Sequence, residues 1–232
     1  MNKLFFSVVS LLAFASCASE YKIEGNSSVS RLDGKMLFIK VPAGDRMLNI
    51  DSAEVIHGIF KMEGVADSAV IASLYMDDES IMPFVIEKGK IAINIDNARI
   101  MVSGTPLNDR LYDFVGKKTS LDDRAYELER KESRMIMDGK APDEIQHEIT
   151  LERERLAAEM NALAKEFIQK NYDNVLGPGV FIMLCSNFPY PVMTPLVEEI
   201  INEAPEAFKN NPLVKDYVTI ARSNMEKLKA PR

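Results

Sequence analysis

An α+β protein is predicted, with an antiparallel β-sandwich or open barrel first and an all-helical region with a long αα-hairpin after it. Periodicity carries the prediction. Apolar residues recur every second position up to about residue 104, and every third or fourth position from Leu107 onward. Punctuation supports it: the turn signals Asp33-Gly34, Ala43-Gly44-Asp45, His57-Gly58, Lys88-Gly89 and Asp96-Asn97 recur at short spacing in the first part.

The clearest strand has Ile91, Ile93 and Ile95 alternating with Ala92, Asn94 and Asp96. Taken with the turns, it places strands near 21–26, 35–41, 48–56, 59–65, 69–76, 82–87, 90–96 and 99–103. In the second part Leu111, Phe114, Leu121, Ala125, Leu128 and Met135 form one helical stripe, shared with Lys118 and Glu132. Ile145, Ile149, Leu156, Met160, Leu163 and Phe167 form another, interrupted by Glu152. Met137-Asp138-Gly139-Lys140 breaks the two helices. Pro142 suits the first turn of the second, where Asp143 and Glu144 complement the positive end of its dipole. The pair should form a long antiparallel hairpin, and the polar residues on both stripes predict an outer end that projects from the body. After Asn171 the chain turns irregular at Gly177-Pro178-Gly179, and shorter helices are expected near 179–187, 192–204 and 212–229.

The first residues have a separate role. Met1-Asn2-Lys3 is followed by an apolar run from Leu4 to Ala15 and then Ser16-Cys17, the layout of a secretory signal peptide. The run is shorter than the roughly 20 residues that a membrane span requires. Phe14-Ala15-Ser16-Cys17 resembles the bacterial lipobox, with Phe where Leu is usual. Residues 1–16 are therefore expected to be a signal, Cys17 a lipidated new N-terminus, and 17–20 a tether to the membrane. The β region is assigned to 21–106 and the helical region to 107–230. Loss of the signal, whose one charge is Lys3, moves the formal net charge from −7 to about −8. That acidity argues against nucleic acid or an anionic membrane surface as a partner.

The β half is similar to the domain of unknown function found at the N-terminus of thioredoxin-like (AhpC/TSA family) lipoproteins of the Bacteroidetes. The resemblance rests on Tyr21-Lys22-Ile23-Glu24-Gly25, Asp33-Gly34-Lys35, Asp51-Ser52-Ala53-Glu54-Val55, Gly58-Ile59-Phe60 and Gly64. It continues in Phe84-Val85-Ile86-Glu87-Lys88-Gly89-Lys90-Ile91 and Val102-Ser103-Gly104-Thr105-Pro106-Leu107-Asn108. Phe167-Ile168 with Asn171, Asn174 and Leu176-Gly177 resembles the helical linker of the same proteins. The resemblance implies an envelope lipoprotein, on the outer membrane and facing the periplasm, since Ala18-Ser19-Glu20 lacks an acidic cluster. It transfers no catalytic residue, and with no CxxC after the linker it carries over no redox activity.

The residues that could carry chemistry are few. With Cys17 taken by lipid, Cys185 is the one remaining thiol, which excludes an intramolecular disulfide and a cysteine-based zinc site. It lies in the apolar run Val180–Cys185, where a cysteine packs as a small hydrophobe; the other reading is a redox or intermolecular thiol. His57 and His147 fall in different halves, so no metal site is expected. Asp77-Asp78-Glu79 has oxygen ligands of the kind calcium prefers, but without the glycine of a calcium loop it reads as a solvated turn. Asp51-Ser52 reads as structural, bonding nearby backbone. Phe188-Pro189-Tyr190-Pro191 has the composition of a contact surface, with Phe188 and Tyr190 as its aromatics, or of a rigid loop over the helices' own core. No catalytic or cofactor-binding residue is assigned. A non-catalytic module binding an envelope protein or glycan is the expectation. The alternative is an accessory to a separate thioredoxin-like partner.

Overall fold

The computed structural model describes residues 20–44, 46–186 and 188–229. Residues 1–19, with the signal and the lipidation site Cys17, lie outside them. Eight strands come first: β1 (Glu20–Ser27), β2 (Met36–Ala43), β3 (Arg46–Glu54), β4 (Ile59–Val65), β5 (Val70–Met76), β6 (Glu79–Ile86), β7 (Gly89–Ile95) and β8 (Ile100–Ser103). Six helices follow: α1 (Pro106–Met137), α2 (Pro142–Gln169), α3 (Leu176–Cys185), α4 (Pro195–Glu203), α5 (Glu206–Lys209) and α6 (Pro212–Lys229).

The strands form two four-stranded sheets, ordered β4-β1-β7-β8 and β3-β2-β5-β6, so the β half is a sandwich rather than a barrel. Period-two alternation drives this: Tyr21, Ile23, Ile91 and Ile93 of one sheet face Leu37, Ile39, Leu74 and Phe84 of the other, all buried. One ladder departs from the antiparallel expectation. β1 and β7 run parallel, Tyr21 opposite Gly89 and Ser27 opposite Ile95. The chain passes from β1 through β2 and β3 of the other sheet, back to β4 at the edge of the first, and through β5 and β6 before it enters β7 at the end where β1 began, so the two central strands share a direction. Two reciprocal pairs lock β1 to β4. Gly25 lies opposite Phe60, whose ring occupies the space a Cβ would need, and Gly64 lies opposite Tyr21 in the same relation.

The junction of sandwich and helices explains the Glu87 and Gly104–Asn108 segments. β6 is an edge strand, and its Val85 has both polar backbone groups turned outward. Asn108 Oδ1 accepts from Val85 N–H at 2.8 Å and Asn108 Nδ2 donates to Val85 C=O at 2.7 Å, so the amide side chain stands where another strand would. Asn108 is fully buried, and its Nδ2 also donates to Thr105 Oγ1. Glu87 Oε1 accepts from the N–H groups of Leu107 and Asn108 and caps α1 from outside the helix.

Gly177-Pro178-Gly179, expected to be irregular, lies inside the first turn of α3. Proline costs little there because a first-turn N–H has no intrahelical partner. The glycines mark close approach: a Cβ on Gly177 would strike the carbonyl of Asn171, and one on Gly179 would strike Ile71 of β5. The body helices cover the outer face of β5 and β6, where Tyr112 donates to the Pro83 carbonyl at 3.0 Å. One apolar core runs from the sandwich into these helices.

The αα-hairpin forms as predicted, and its outer part has a separate core of Leu128, Met135, Ile145, Ile149 and Leu156, flanked by Leu121. Ala125, placed on the stripe by spacing, is exposed. The polar members of the two stripes have charged partners: Glu132 pairs with Arg153 and Glu152 with Lys131 across the hairpin, and Lys118 with Asp122 along α1.

Candidate interaction surface

The described segment Phe188–Thr194 leads into α4 from the side of α3, and it is pinned at several points. Phe188 N–H donates to the Cys185 carbonyl where α3 ends, and Thr194 Oγ1 accepts from Val197 N–H as the N-cap of α4. Between them, Tyr217 of α6 holds both polar groups of Val192, its hydroxyl accepting from the N–H at 3.1 Å and donating to the carbonyl at 3.0 Å. Asn224 Nδ2 donates to the Pro191 carbonyl at 2.9 Å. Pro189 and Pro191 fix their own φ angles. The loop is rigid for reasons legible in its bonds, yet Phe188 and Tyr190 stand 42% and 52% exposed.

The surroundings continue this character. Leu213, Tyr217, Ile220 and Asn224 follow steps of four, three and four along α6 and so share one face. The two polar members hold the loop, while Leu213 and Ile220 are half exposed beside them. A groove adjoins the loop through Met193. Ile201 and Met225 supply more of its apolar floor, and Glu198, Arg222 and Glu226 its charged rim.

Cys185 lies beneath this loop, 3% exposed. Burial pushes its thiol from 9.0 up to about 11, opposed only in part by a hydrogen bond with Tyr217. At neutral pH the thiol is therefore held in its protonated, unreactive form. His57 sits in the two-residue turn between Ile56 and Ile59 with φ +52°, followed by Gly58 at +77°, the pair of positive angles such a turn demands. His147 is exposed on α2, far from it in the fold. Asp77 and Asp78 form the tight β5–β6 turn, with Asp77 at φ +54°. Asp51 Oδ1 accepts from Ser52 N–H at 2.7 Å, the local bond expected of it, while its Oδ2 is buried without a partner among the described residues. Among the described residues no three acidic, histidine or cysteine side chains gather where they could hold a metal ion.

Sequence spacing singled out Phe188 and Tyr190 but missed Leu213, Ile220 and the Met193 groove. The sequence predicts a helix near 212–229, which α6 matches, but a predicted helix does not say which part of its surface is left uncovered.

Fold and surface together define an α+β protein: a sandwich carrying a helical body with a rigid, exposed aromatic loop. Residues 21–111 match the family described as "Domain of unknown function (DUF4369)". No curated protein matches the chain. Among solved structures, the CBM25-1 of a beta/alpha-amylase from Paenibacillus polymyxa is similar at 16% identity, over 39% of this chain and 96% of that one, with a TM-score of 0.26. A likeness of that size carries no weight for function. No described helix is long and apolar enough to cross a membrane.

Proposed function

We propose that this protein acts by binding rather than by catalysis: a lipid-anchored envelope module that presents the Phe188–Tyr190 loop to another protein. The observation that carries the reading is the combination of exposure and rigidity. Two aromatic rings stand in solvent on a backbone held by Tyr217, Asn224 and two prolines. Docking such rings costs little conformational entropy, and aromatic anchors dominate binding energy at protein interfaces. The half-exposed aliphatic neighbours Leu213 and Ile220 extend the two rings into an apolar patch of the kind a protein partner covers. The envelope location rests on the lipobox-like segment before Cys17 and on the resemblance to Bacteroidetes lipoproteins, with the outer membrane's periplasmic face as the site of action. No cofactor enters this reading. The accessory redox role has nothing in its favour at Cys185, which is buried and held protonated.

Photo-crosslinking tests it. A benzophenone side chain replaces Tyr190 in the full chain, and a control carries it at Tyr126, exposed on the hairpin. The expected result is one discrete protein adduct from position 190, lost with Phe188→Ala and absent from position 126. Identical adducts from both positions, or none from 190, refute it. A polydisperse adduct reassigns the surface to a glycan.

A further inference from the structure

The β2–β3 hairpin is the least covered part of the sandwich. Past the pair Lys40–Ser73, β2 loses its neighbour in β5, and Val41–Leu48, Pro42–Met47 and Ala43–Arg46 pair with each other alone. Every residue of β3 from Arg46 to Ile50 is exposed, including Met47, Leu48 and Ile50, apolar side chains on both faces of an edge strand. Soluble edges normally carry charge or proline against association, and a cluster of large apolar residues there marks a contact.

The register places this tip. β2 runs past β5 toward Val70, Val70 pairs with Ile86, and the chain passes from Ile86 into Gly89, opposite Tyr21. The tip and the start of β1 therefore share one end of the sandwich. Val65, 59% exposed and paired with Glu20, adds to the apolar surface there. β3 runs beside β4 and β1 is next to β4, so the tip stands across the sandwich from Glu20. The separation is on the order of the 10 Å between packed sheets. From Cys17 to Glu20 the chain takes three Cα steps, at most about 11 Å. A tether this short gives the sandwich no room to turn its other end to the bilayer.

We infer that the exposed apolar side chains Met47 and Leu48 of β3 dock against the surface of the lipid bilayer that holds Cys17, with the long Arg46 side chain beside them reaching its headgroups, and fix the orientation of the module on it. This inference rests on the lipid anchor proposed above. Apolar contact rather than charge drives it, since the chain is acidic overall.

The chain contains no tryptophan, so single introduced indoles report without background. Leu48→Trp and Met47→Trp probe the tip, and Ile56→Trp, 58% exposed at the far end of the sandwich, is the control. The full lipidated protein is reconstituted into phosphatidylcholine vesicles, with the mass of the acylated N-terminal peptide and flotation measured in the same samples. The expected result is tip emission that moves to the blue and loses intensity with bromine-labelled acyl chains, while the Ile56→Trp signal does neither. Acylated, floating protein whose tip emission matches the control overturns the docking and leaves the anchor standing. A blue shift insensitive to brominated lipid means burial against protein, a second copy included, and also overturns it. Protein with no acyl mass on Cys17 that does not float overturns anchor and docking together.

Discussion

Asn108→Ala is the sharpest perturbation of the junction between sandwich and helices. It removes the acceptor of Val85 N–H and the donor to Val85 C=O, both in a fully buried setting, together with the bond to Thr105. The Val85 groups then lie stranded where water cannot reach them. Each buried group left without a partner costs about 1–3 kcal/mol, so the pair predicts a loss of roughly 2–6 kcal/mol. Against a total stability on the order of 5–15 kcal/mol, that is a large fraction. For a chain of this size, at about 2–4 °C per kcal/mol, it lowers the melting temperature by roughly 4–24 °C. Guanidinium unfolding followed by tyrosine near-UV dichroism measures the loss, and amide exchange at Val85 localises it. Asn108→Asp should be worse still, since it keeps the acceptor but turns a carboxylate oxygen toward the Val85 carbonyl. A cost under about 0.5 kcal/mol, or unchanged exchange at Val85, refutes the idea that this side chain substitutes for a strand partner.

Ile149→Ala, at a 1% exposed position in the separate core of the helical hairpin, removes contacts worth about 2–5 kcal/mol. Because that core stands apart from the main one, amide exchange should rise across the outer hairpin while Ile93 in the sandwich keeps its protection; a uniform rise contradicts the separation. Stability should also fall at alkaline pH. Cys185 and Tyr112, Tyr21, Tyr172 and Tyr217 all have pKa values raised, chiefly by burial, so the folded state holds their protons longer than the unfolded chain does. Their contribution is intact below the unfolded values and is lost as pH rises through the folded ones, starting near 9.0 for Cys185 and ending near 11. Melting temperatures recorded from pH 8 to 11 should decline, and Cys185→Ala should flatten the first part of that decline. An unchanged slope in the variant assigns the effect elsewhere.

The fold class and its elements were legible because their signals are local. Alternation around Ile91, Ile93 and Ile95 and the three–four spacing from Leu107 marked the elements to within a few residues at most boundaries, and the turn glycines marked breaks between strands, of which only Gly44 closes a hairpin within one sheet while Gly34, Gly58 and Gly89 lie where the chain crosses to the other sheet. Gly177 and Gly179 were legible but ambiguous. A glycine that breaks a helix and one that lets another chain approach look alike until the neighbour, here Asn171 or Ile71, is known. The short α5 gave no signal, since four residues cannot display a helical period.

By itself the sequence determined the α+β class, the order of strands and helices, the acidic charge and the pair of aromatics at Phe188 and Tyr190, because each depends on residues near one another in the chain. The tertiary structure decided the parallel β1–β7 ladder, the Asn108 mimic of a strand, the second core in the hairpin and the burial of Cys185. It alone set Leu213 and Ile220 beside the aromatic loop, and the β2–β3 tip at the end where β1 begins. The reason is the same throughout: periodicity says which side chains share a face, and only packing across long sequence separations says what covers that face and what is left open to a partner.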